Sequence, residues 1–156
     1  MIKVAFICHG NICRSPLAEF LMKDKLKKLN LLDKFEVQSF GTSYEENGNP
    51  VYPPVKRLLN GINIDCSNKR AQTVTARNYG DFDYFLCMDS YNKRNLLKIF
   101  GGDTENKVYM LLDFVKGITD NEVADPYYYG GYDKVFSDIE KGIDGFIIHL
   151  KTQNLI

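Results

Sequence analysis

The chain has 156 residues, and its 20 basic and 20 acidic side chains balance to a formal net charge of zero. This length predicts a single domain over residues 1–156, large enough to bury a hydrophobic core. The balanced charge gives no basic field for nucleic acid or an anionic membrane, and no apolar run approaches the roughly 20 residues of a membrane span. The short apolar run at the N-terminus does not match a signal peptide. We expect a cytoplasmic protein without nucleic-acid or membrane partners, present as a monomer or weak dimer.

An apolar run over residues 2–7 predicts a buried strand, and the octapeptide after it leads into a helix. The octapeptide is Cys8-His9-Gly10-Asn11-Ile12-Cys13-Arg14-Ser15. Its serine suits the N-cap of that helix, and Pro16 suits the first helical position. Its glycine and asparagine suit a tight turn with a left-handed residue. A loop that ends at a helix N-terminus collects unpaired N–H groups and the positive end of the helix dipole, so it favours a bound anion.

Two side chains make this loop a candidate reaction centre. Cys8 begins the loop and Arg14 ends it, with five residues between them. A thiol that faces a helix N-terminus and a guanidinium is shifted toward the thiolate, which is the nucleophilic form. The planar fork of Arg14 can hold two phosphate oxygens at once, which would place phosphorus near the Cys8 sulfur. For the spacing alone, a buried structural cysteine beside a surface arginine is the favoured interpretation; for the full octapeptide it is not.

The rest of the chain alternates between strand and helix patterns, which predicts an α/β fold with a mainly parallel sheet. The predicted strands lie at residues 2–7, 35–39, 82–88 and 108–112. Five helices are predicted. The first starts at residue 16, and the next two span 54–60 and 73–79. The fourth runs from a cap at 89–90 to a stop at 101–102, and the last has an apolar face over 136–150. Residues 63–68 are ambiguous. Residues 113–131 are predicted to form a long irregular loop, which is a functional candidate.

The long loop contains a candidate proton donor. Ligands of an open parallel sheet bind outside the carboxyl ends of its strands, where this loop should meet Cys8. Asp125 precedes Pro126, which holds it extended, and a carboxylic acid there would protonate the leaving oxygen in phosphoryl transfer and then activate water. Three tyrosines follow, at 127–129, and would form a slot for an aromatic ring. The alternative interpretation is a solvated turn with surface tyrosines.

The octapeptide followed by Pro16, together with the Asp-Pro-Tyr-Tyr run at residues 125–128, resembles the low-molecular-weight protein tyrosine phosphatases. The resemblance spans nearly the whole chain. It implies a four-stranded parallel sheet of order 2-1-3-4, flanked by helices on both faces, with the phosphate-binding loop after strand 1. It also implies hydrolysis of phosphotyrosine proteins or small aryl phosphates through a phosphocysteine on Cys8. Arg14 would then stabilise the transition state, Asp125 would act as general acid and base, and no cofactor or metal would be needed.

The resemblance also implies roles for other residues. Phosphate-binding positions in the loop are His9, Gly10, Asn11, Ile12, Cys13 and Ser15. The aromatic side chains expected to face the substrate ring are Tyr44, Tyr127 and Tyr128. Ser39 is expected to support the loop, and Asn68 takes the position of a supporting histidine in the family. The chain departs from the family pattern at residues 52–54 and 70–72 as well.

The four cysteines, at 8, 13, 66 and 87, are expected to be reduced rather than paired in structural disulfides or bound to zinc. Cys8 and Cys13 share the loop, which predicts a reversible disulfide between them after oxidation. The alternative is that Cys13 packs beneath the loop as a small apolar residue.

Two other functions stay open at this point. An arsenate reductase shares this fold and loop, but its chemistry relays through two further cysteines on one short segment. Here Cys87 has no second cysteine nearby, and Cys66 is remote in sequence. A non-catalytic phosphate- or phosphopeptide-binding module is the second alternative, and binding alone would require neither Cys8 nor Asp125.

Overall fold

The computed structural model describes residues 1–126 and 131–156. The strands are β1 (Ile2–Cys8), β2 (Phe35–Gly41), β3 (Tyr84–Cys87) and β4 (Val108–Met110). The α-helices are α1 (Arg14–Lys28), α2 (Pro53–Gly61), α3 (Ser90–Phe100) and α4 (Asp133–Thr152). Short 3-10 helices cover Leu32–Lys34, Ala76–Asp81 and Leu111–Phe114.

The four strands form one parallel sheet of order β2-β1-β3-β4, which confirms the predicted topology. β1 lies between β2 and β3, and its last residue, Cys8, pairs with Gly41 at the end of β2. Successive β1 side chains alternate between two buried clusters, because strand side chains point to opposite faces. Cys8 therefore stands at the carboxyl edge of a central strand, where parallel-sheet proteins bind ligands.

Helices cover both faces of the sheet. α1, α2 and α4 contribute the buried side chains of the larger cluster, and α3 packs on the opposite face with the smaller one. The apolar face predicted for the last helix is buried at Ile139, Ile143, Phe146, Ile147 and Leu150. The buried apolar side chains of α1 include Leu21, Met22 and Leu26, whereas Leu29, just after the helix, is 40% exposed.

Helix α1 begins earlier than the sequence pattern predicts. Cys13 is its N-cap and Arg14 its first residue, so the prediction of Ser15 at the N-cap was wrong. The Ser15 hydroxyl bonds to groups of the loop instead of capping the helix. Pro16 fits the first turn because the N–H groups there have no intrahelical partner to lose.

Other boundaries also differ from the predictions. β2 continues to Gly41, β3 covers only 84–87, and β4 stops at residue 110, where a 3-10 helix begins. The helix expected at 73–79 is a 3-10 helix at 76–81. The predicted cap and stop of α3 are confirmed: Asp89 is the N-cap, and Gly101 closes the helix in the left-handed conformation.

Two glycines of α4 permit close packing rather than merely weakening the helix. A Cβ at Gly145 would lie 2.2 Å from the carbonyl oxygen of Phe114, and one at Gly142 would lie 2.5 Å from the Leu111 side chain. The 3-10 helix at residues 111–114 thus packs directly on the α4 backbone. This contact fixes the start of the loop that leads to Asp125.

All four cysteines are free thiols, and Cys66 and Cys87 are buried in separate clusters. Within the part of the chain that the structure describes, no helix has the length and apolar character to cross a membrane.

Candidate active site

The loop after β1 wraps around a point at the start of α1. Asn11 has φ 60 and is 1% exposed, so a non-glycine residue is held in the left-handed region inside the protein. The loop is tied from outside by hydrogen bonds from the N–H of Tyr52 to the Ile12 carbonyl (2.9 Å) and from the N–H of Ser43 to the His9 carbonyl (3.0 Å). These contacts hold the loop closed around the end of the helix.

Gly41 allows this close approach. A Cβ there would lie 2.6 Å from the His9 carbonyl oxygen, a contact that real side chains do not make. The need for glycine arises from the crossing of the loop over the end of β2, which no local sequence pattern reveals.

The Cys8 sulfur faces two hydrogen-bonding groups. The backbone N–H of Asn11 donates to it at 3.3 Å, and the Ser15 hydroxyl oxygen lies 2.9 Å away. Cys8 is 3% exposed, at the floor of the loop.

The direction of the Ser15 contact follows from the groups behind it. The Ser39 hydroxyl donates to Glu19 Oε1 (2.5 Å), so its oxygen is left to accept a hydrogen bond from Asn11 Nδ2 (2.9 Å). The same amide donates to the Ser15 oxygen at 2.8 Å, and its carbonyl accepts from the Gln72 N–H at 3.0 Å. The Ser15 proton is then available to the Cys8 sulfur. The carboxylate of Glu19 thus orients a chain of donors that ends at the sulfur.

Glu19 is held by two ammonium groups. Its side chain is 6% exposed, and its oxygens lie 2.6 Å from Lys23 Nζ and 3.3 Å from Lys69 Nζ. Lys69 also donates to the Ser39 carbonyl at 2.9 Å. Burial lowers the pKa of Lys69, and the neighbouring Glu19 charge opposes that shift.

The supporting contacts expected from Asn68 are made by Lys69. Asn68 is exposed, and its side chain makes no hydrogen bond with residues 1–126 or 131–156. The register of the segment after α2 turns the next residue, Lys69, toward Ser39 and Glu19. Ser39 does contact the loop as expected, through Asn11. The sequence does contain a signal for the buried role of Glu19, since it is a charged residue between Ala18 and Met22 on the apolar face of α1.

Arg14 is 4% exposed and has partners on both nearby loops. Its Nη1 donates to Asp89 Oδ2 at 2.9 Å and to the Val123 carbonyl at 2.8 Å, and its Nη2 lies 3.7 Å from Asp125 Oδ2. Asp89 also accepts a hydrogen bond from the Asn92 N–H with its other oxygen. The N-cap of α3 therefore positions the guanidinium, a role that the sequence analysis did not assign to Asp89.

A cavity of about 910 Å³ opens beside the loop. Its lining includes His9, Arg14, Asp89, Tyr91, Glu122 and Asp125. Tyr91, which the sequence analysis did not single out, is 54% exposed. No group of three or more histidine, cysteine, aspartate or glutamate side chains in the described ranges is placed to hold a metal ion.

Of the three tyrosines expected to face the substrate ring, the structure describes one. Tyr44 is 72% exposed and is not part of the cavity lining. Tyr127 and Tyr128 lie outside the described residues.

Cys13, on the same loop as Cys8, contacts a tyrosine. Its sulfur is half-buried and lies 3.9 Å from the Tyr132 hydroxyl. Burial raises the pKa of the Cys13 thiol to about 11, although the hydrogen bond with Tyr132 lowers it in part. Cys13 is therefore protonated near neutral pH.

These features match a known family along almost the entire chain. The family model described as low molecular weight phosphotyrosine protein phosphatase matches residues 3–155. The chain belongs to this family. Membership confirms the resemblance seen in the sequence and classes the chain as a protein-tyrosine-phosphatase.

Relatives and solved structures agree with this classification. YfkJ of Bacillus subtilis, a low molecular weight protein-tyrosine-phosphatase, is 32% identical over 153 residues, which is 98% of each sequence. Its crystal structure matches with a TM-score of 0.93 over 98% of this chain and 96% of that one. PtpA of Staphylococcus aureus is 34% identical over 99% of this chain and 98% of its own length. A Drosophila arginine phosphatase, 28% identical, matches with a TM-score of 0.86 over 96% of this chain and 98% of its own.

The Ser39→Ala variant tests the chain of hydrogen bonds behind the loop. The substitution leaves an amide hydrogen of Asn11 and an oxygen of Glu19 without their buried partner, which is expected to cost about 1–3 kcal/mol of unfolding free energy. We expect kcat/KM for p-nitrophenyl phosphate to fall about tenfold, which corresponds to about 1.4 kcal/mol of transition-state stabilisation. Urea unfolding and steady-state kinetics measure the two effects.

Ser137→Ala is the matched control. Ser137 lies on α4, and its side chain makes no hydrogen bond within the described part of the chain. Ser39→Ala kinetics equal to those of this control would show that the loop does not depend on the buried chain.

Proposed function

We propose that the chain hydrolyses phosphotyrosine in proteins and small aryl phosphate monoesters, with Cys8 as the nucleophile. The observation that carries this proposal is the position of the Cys8 sulfur in a closed loop at the start of α1, where the Asn11 N–H and the Ser15 hydroxyl face it. Such donors stabilise negative charge on sulfur and on phosphate oxygens. The buried Arg14 lies at the end of the same loop.

The proposed reaction has two steps. In the first, the Cys8 sulfur attacks phosphorus, the S–P bond forms, and the bond from phosphorus to the phenolic oxygen breaks. Asp125 gives its proton to that oxygen, while Arg14 and the loop N–H groups stabilise the equatorial oxygens. In the second, Asp125 takes a proton from water, whose oxygen attacks phosphorus and releases inorganic phosphate and the Cys8 thiolate.

The surroundings of Arg14 support this assignment. Asp89 and the Val123 carbonyl hold one terminal nitrogen, and the other faces Asp125 across 3.7 Å. A guanidinium that is already oriented loses less freedom when it binds phosphate in a bidentate manner. Asp125, 35% exposed at the cavity, is then near the oxygen that leaves.

The rival chemistry of an arsenate reductase finds little support. A thiol relay from Cys8 would need accessible cysteines beside the loop. Cys87 is fully buried on the α3 side of the sheet, where burial strongly raises its pKa, and Cys66 is buried in the other cluster. The preference for phosphotyrosine over phosphoserine stays a prediction. Because one structural neighbour is an arginine phosphatase, phosphoarginine is a further competing substrate to test.

The Cys8→Ser variant tests the nucleophile. We expect it to lose turnover of p-nitrophenyl phosphate and phosphotyrosine peptide, because a serine hydroxyl is a far weaker nucleophile than a thiolate. Vanadate binding is expected to survive, since the loop N–H groups and Arg14 remain. Phosphate release and fluorescence or calorimetric titration with vanadate measure the two properties.

Cys66→Ser, the same substitution at a buried thiol outside the loop, is the control and should retain turnover. Turnover by Cys8→Ser near the native rate would refute the mechanism.

With the native enzyme, phosphotyrosine peptide should be a better substrate than phosphoserine and phosphoarginine peptides.

The Asp125→Ala variant tests the general acid. We expect kcat/KM for phosphotyrosine peptide to fall about 10²–10⁴-fold, the usual range for loss of general acid catalysis. The loss should be smaller for p-nitrophenyl phosphate, because its leaving group needs less protonation. Asp33→Ala, at an exposed carboxylate remote from the loop, is the control. An equal loss for both substrates would assign Asp125 a structural role only.

We also propose that Cys8 and Cys13 form a reversible redox pair. Peroxide would oxidise the Cys8 thiolate to a sulfenic acid, and the Cys13 sulfur would then displace water to form the disulfide, which dithiothreitol reduces. Because the pKa of Cys13 is raised to about 11, its thiolate fraction rises about tenfold per pH unit below that value. The disulfide-forming step should accelerate accordingly.

Peroxide inactivation followed by dithiothreitol measures this pair. The native enzyme should recover activity, with a larger recovered fraction at pH 8.5 than at pH 6.5, and a tryptic map should show Cys8 linked to Cys13. Cys13→Ser should retain turnover and lose most of the recovery. Full recovery in Cys13→Ser would mean that Cys13 only packs.

A further inference from the structure

We propose that Glu122 is a positioning residue, which holds the loop that carries Asp125 against the start of α3 through Ser90. This inference rests on the proposed role of Asp125 as general acid. The sequence pattern indicates Ser90 only as part of the helix cap at 89–90 and does not single out Glu122, and the contact joins positions 32 residues apart.

The contact occupies a helix N-terminus. Oε1 of Glu122 accepts a hydrogen bond from the Ser90 N–H at 2.9 Å and a second one from the Ser90 hydroxyl. Ser90 is the first residue of the eleven-residue helix α3, whose unpaired N–H groups and dipole favour a carboxylate. These bonds lower the pKa of Glu122, so the carboxylate is charged at neutral pH.

The next residue continues the attachment. The Val123 N–H donates to the Met88 carbonyl at 2.8 Å, and the Val123 carbonyl accepts from Arg14 at 2.8 Å. Val123 is 1% exposed. Glu122 and Val123 thus bind the loop to both sides of Asp89, the residue that orients Arg14, and Asp125 follows two residues later.

Loss of the contact between Glu122 and Ser90 should affect the position of Asp125 more than the unfolding free energy of the protein. Glu122 and Ser90 are both exposed, and exposed polar contacts typically contribute little to unfolding free energy. No α-helix or strand lies between Val115 and Asp125 in the structure, so the attachments at 122 and 123, together with the contact between Arg14 and Asp125, hold the carboxyl of Asp125 in place. A displacement of about 1 Å in a reacting group can cost about 10²-fold in rate.

Leaving-group dependence separates this role from a structural one. We would measure kcat/KM of the full chain for phosphotyrosine peptide, phenyl phosphate and p-nitrophenyl phosphate, because kcat/KM reports the step in which the leaving group departs. Glu122→Ala should lose about tenfold on phosphotyrosine and phenyl phosphate and less than about twofold on p-nitrophenyl phosphate, with an unchanged melting temperature. Ser90→Ala, which retains the backbone donor, should show a smaller loss with the same order of substrates.

A double-mutant cycle then tests whether Glu122 acts through Asp125. Adding Glu122→Ala to Asp125→Ala should cause no further loss, since there is no acid left to position. Glu140→Ala, at an exposed carboxylate of α4 without an ion pair among the described residues, is the control and should match the native enzyme. Native kinetics for Glu122→Ala, an equal loss on all three substrates, or a further loss in the double variant would each overturn the proposal.

The kinetics of the two variants distinguish a failure of the Glu122 role from a failure of the general acid. If Asp125→Ala shows a leaving-group-dependent loss and Glu122→Ala does not, the positioning role is wrong and the general acid stands. If Asp125→Ala itself shows no dependence on the leaving group, both the general acid and the role of Glu122 are wrong.

Discussion

The structure depends on holding the backbone of Asn11 in a left-handed conformation inside the protein. In this conformation the Asn11 N–H points back to the Cys8 sulfur, at 3.3 Å. A buried left-handed asparagine is unfavourable alone, and here it is compensated by three hydrogen bonds of its side chain, to Ser15, Ser39 and Gln72. The same side chain that stabilises the strained backbone therefore also orients the Ser15 hydroxyl toward the Cys8 sulfur.

The hydrogen bonds behind the loop end at a buried ionic group, Glu19. Glu19 is almost fully buried, and its charge is balanced by Lys23 and Lys69. Removing such groups from water is costly, so a buried pair is poor evidence for stability by itself. The Glu19 carboxylate sets the direction of the hydrogen bonds between it and the Cys8 sulfur, because a carboxylate accepts hydrogen bonds and cannot donate them. Each hydroxyl and amide between Glu19 and the sulfur consequently has one orientation, which a neutral partner in place of Glu19 would leave undetermined.

The positive charge of Arg14, at the end of the loop, is balanced by nearby carboxylates. Arg14 is buried, and its partners are one carboxylate, Asp89, one carbonyl, and the more exposed Asp125. Asp89 has a second role as N-cap of α3, so the orientation of the guanidinium and the start of that helix are set by one side chain. The loop that carries Asp125 attaches to the residues on both sides of Asp89. The Arg14 guanidinium, the start of α3 and the loop that carries Asp125, the proposed proton donor, thus meet at residues 88–90, at the carboxyl edge of the sheet.

The sequence by itself determined the features that neighbouring residues encode. The strand, the loop from Cys8 to Ser15 and the helix after it are contiguous, so local preferences and the family resemblance were sufficient to predict them and the sheet order. Tertiary structure decided which side chains meet across the chain: Arg14 with Asp89, 75 residues apart, Asn11 with Gln72, 61 apart, and Glu122 with Ser90. Hydrophobic periodicity indicates which face of an element is buried, but it carries no information about polar partners. A shift of one residue therefore turned Lys69 inward where Asn68 was expected, because the backbone path after α2 decides which side chain reaches Glu19.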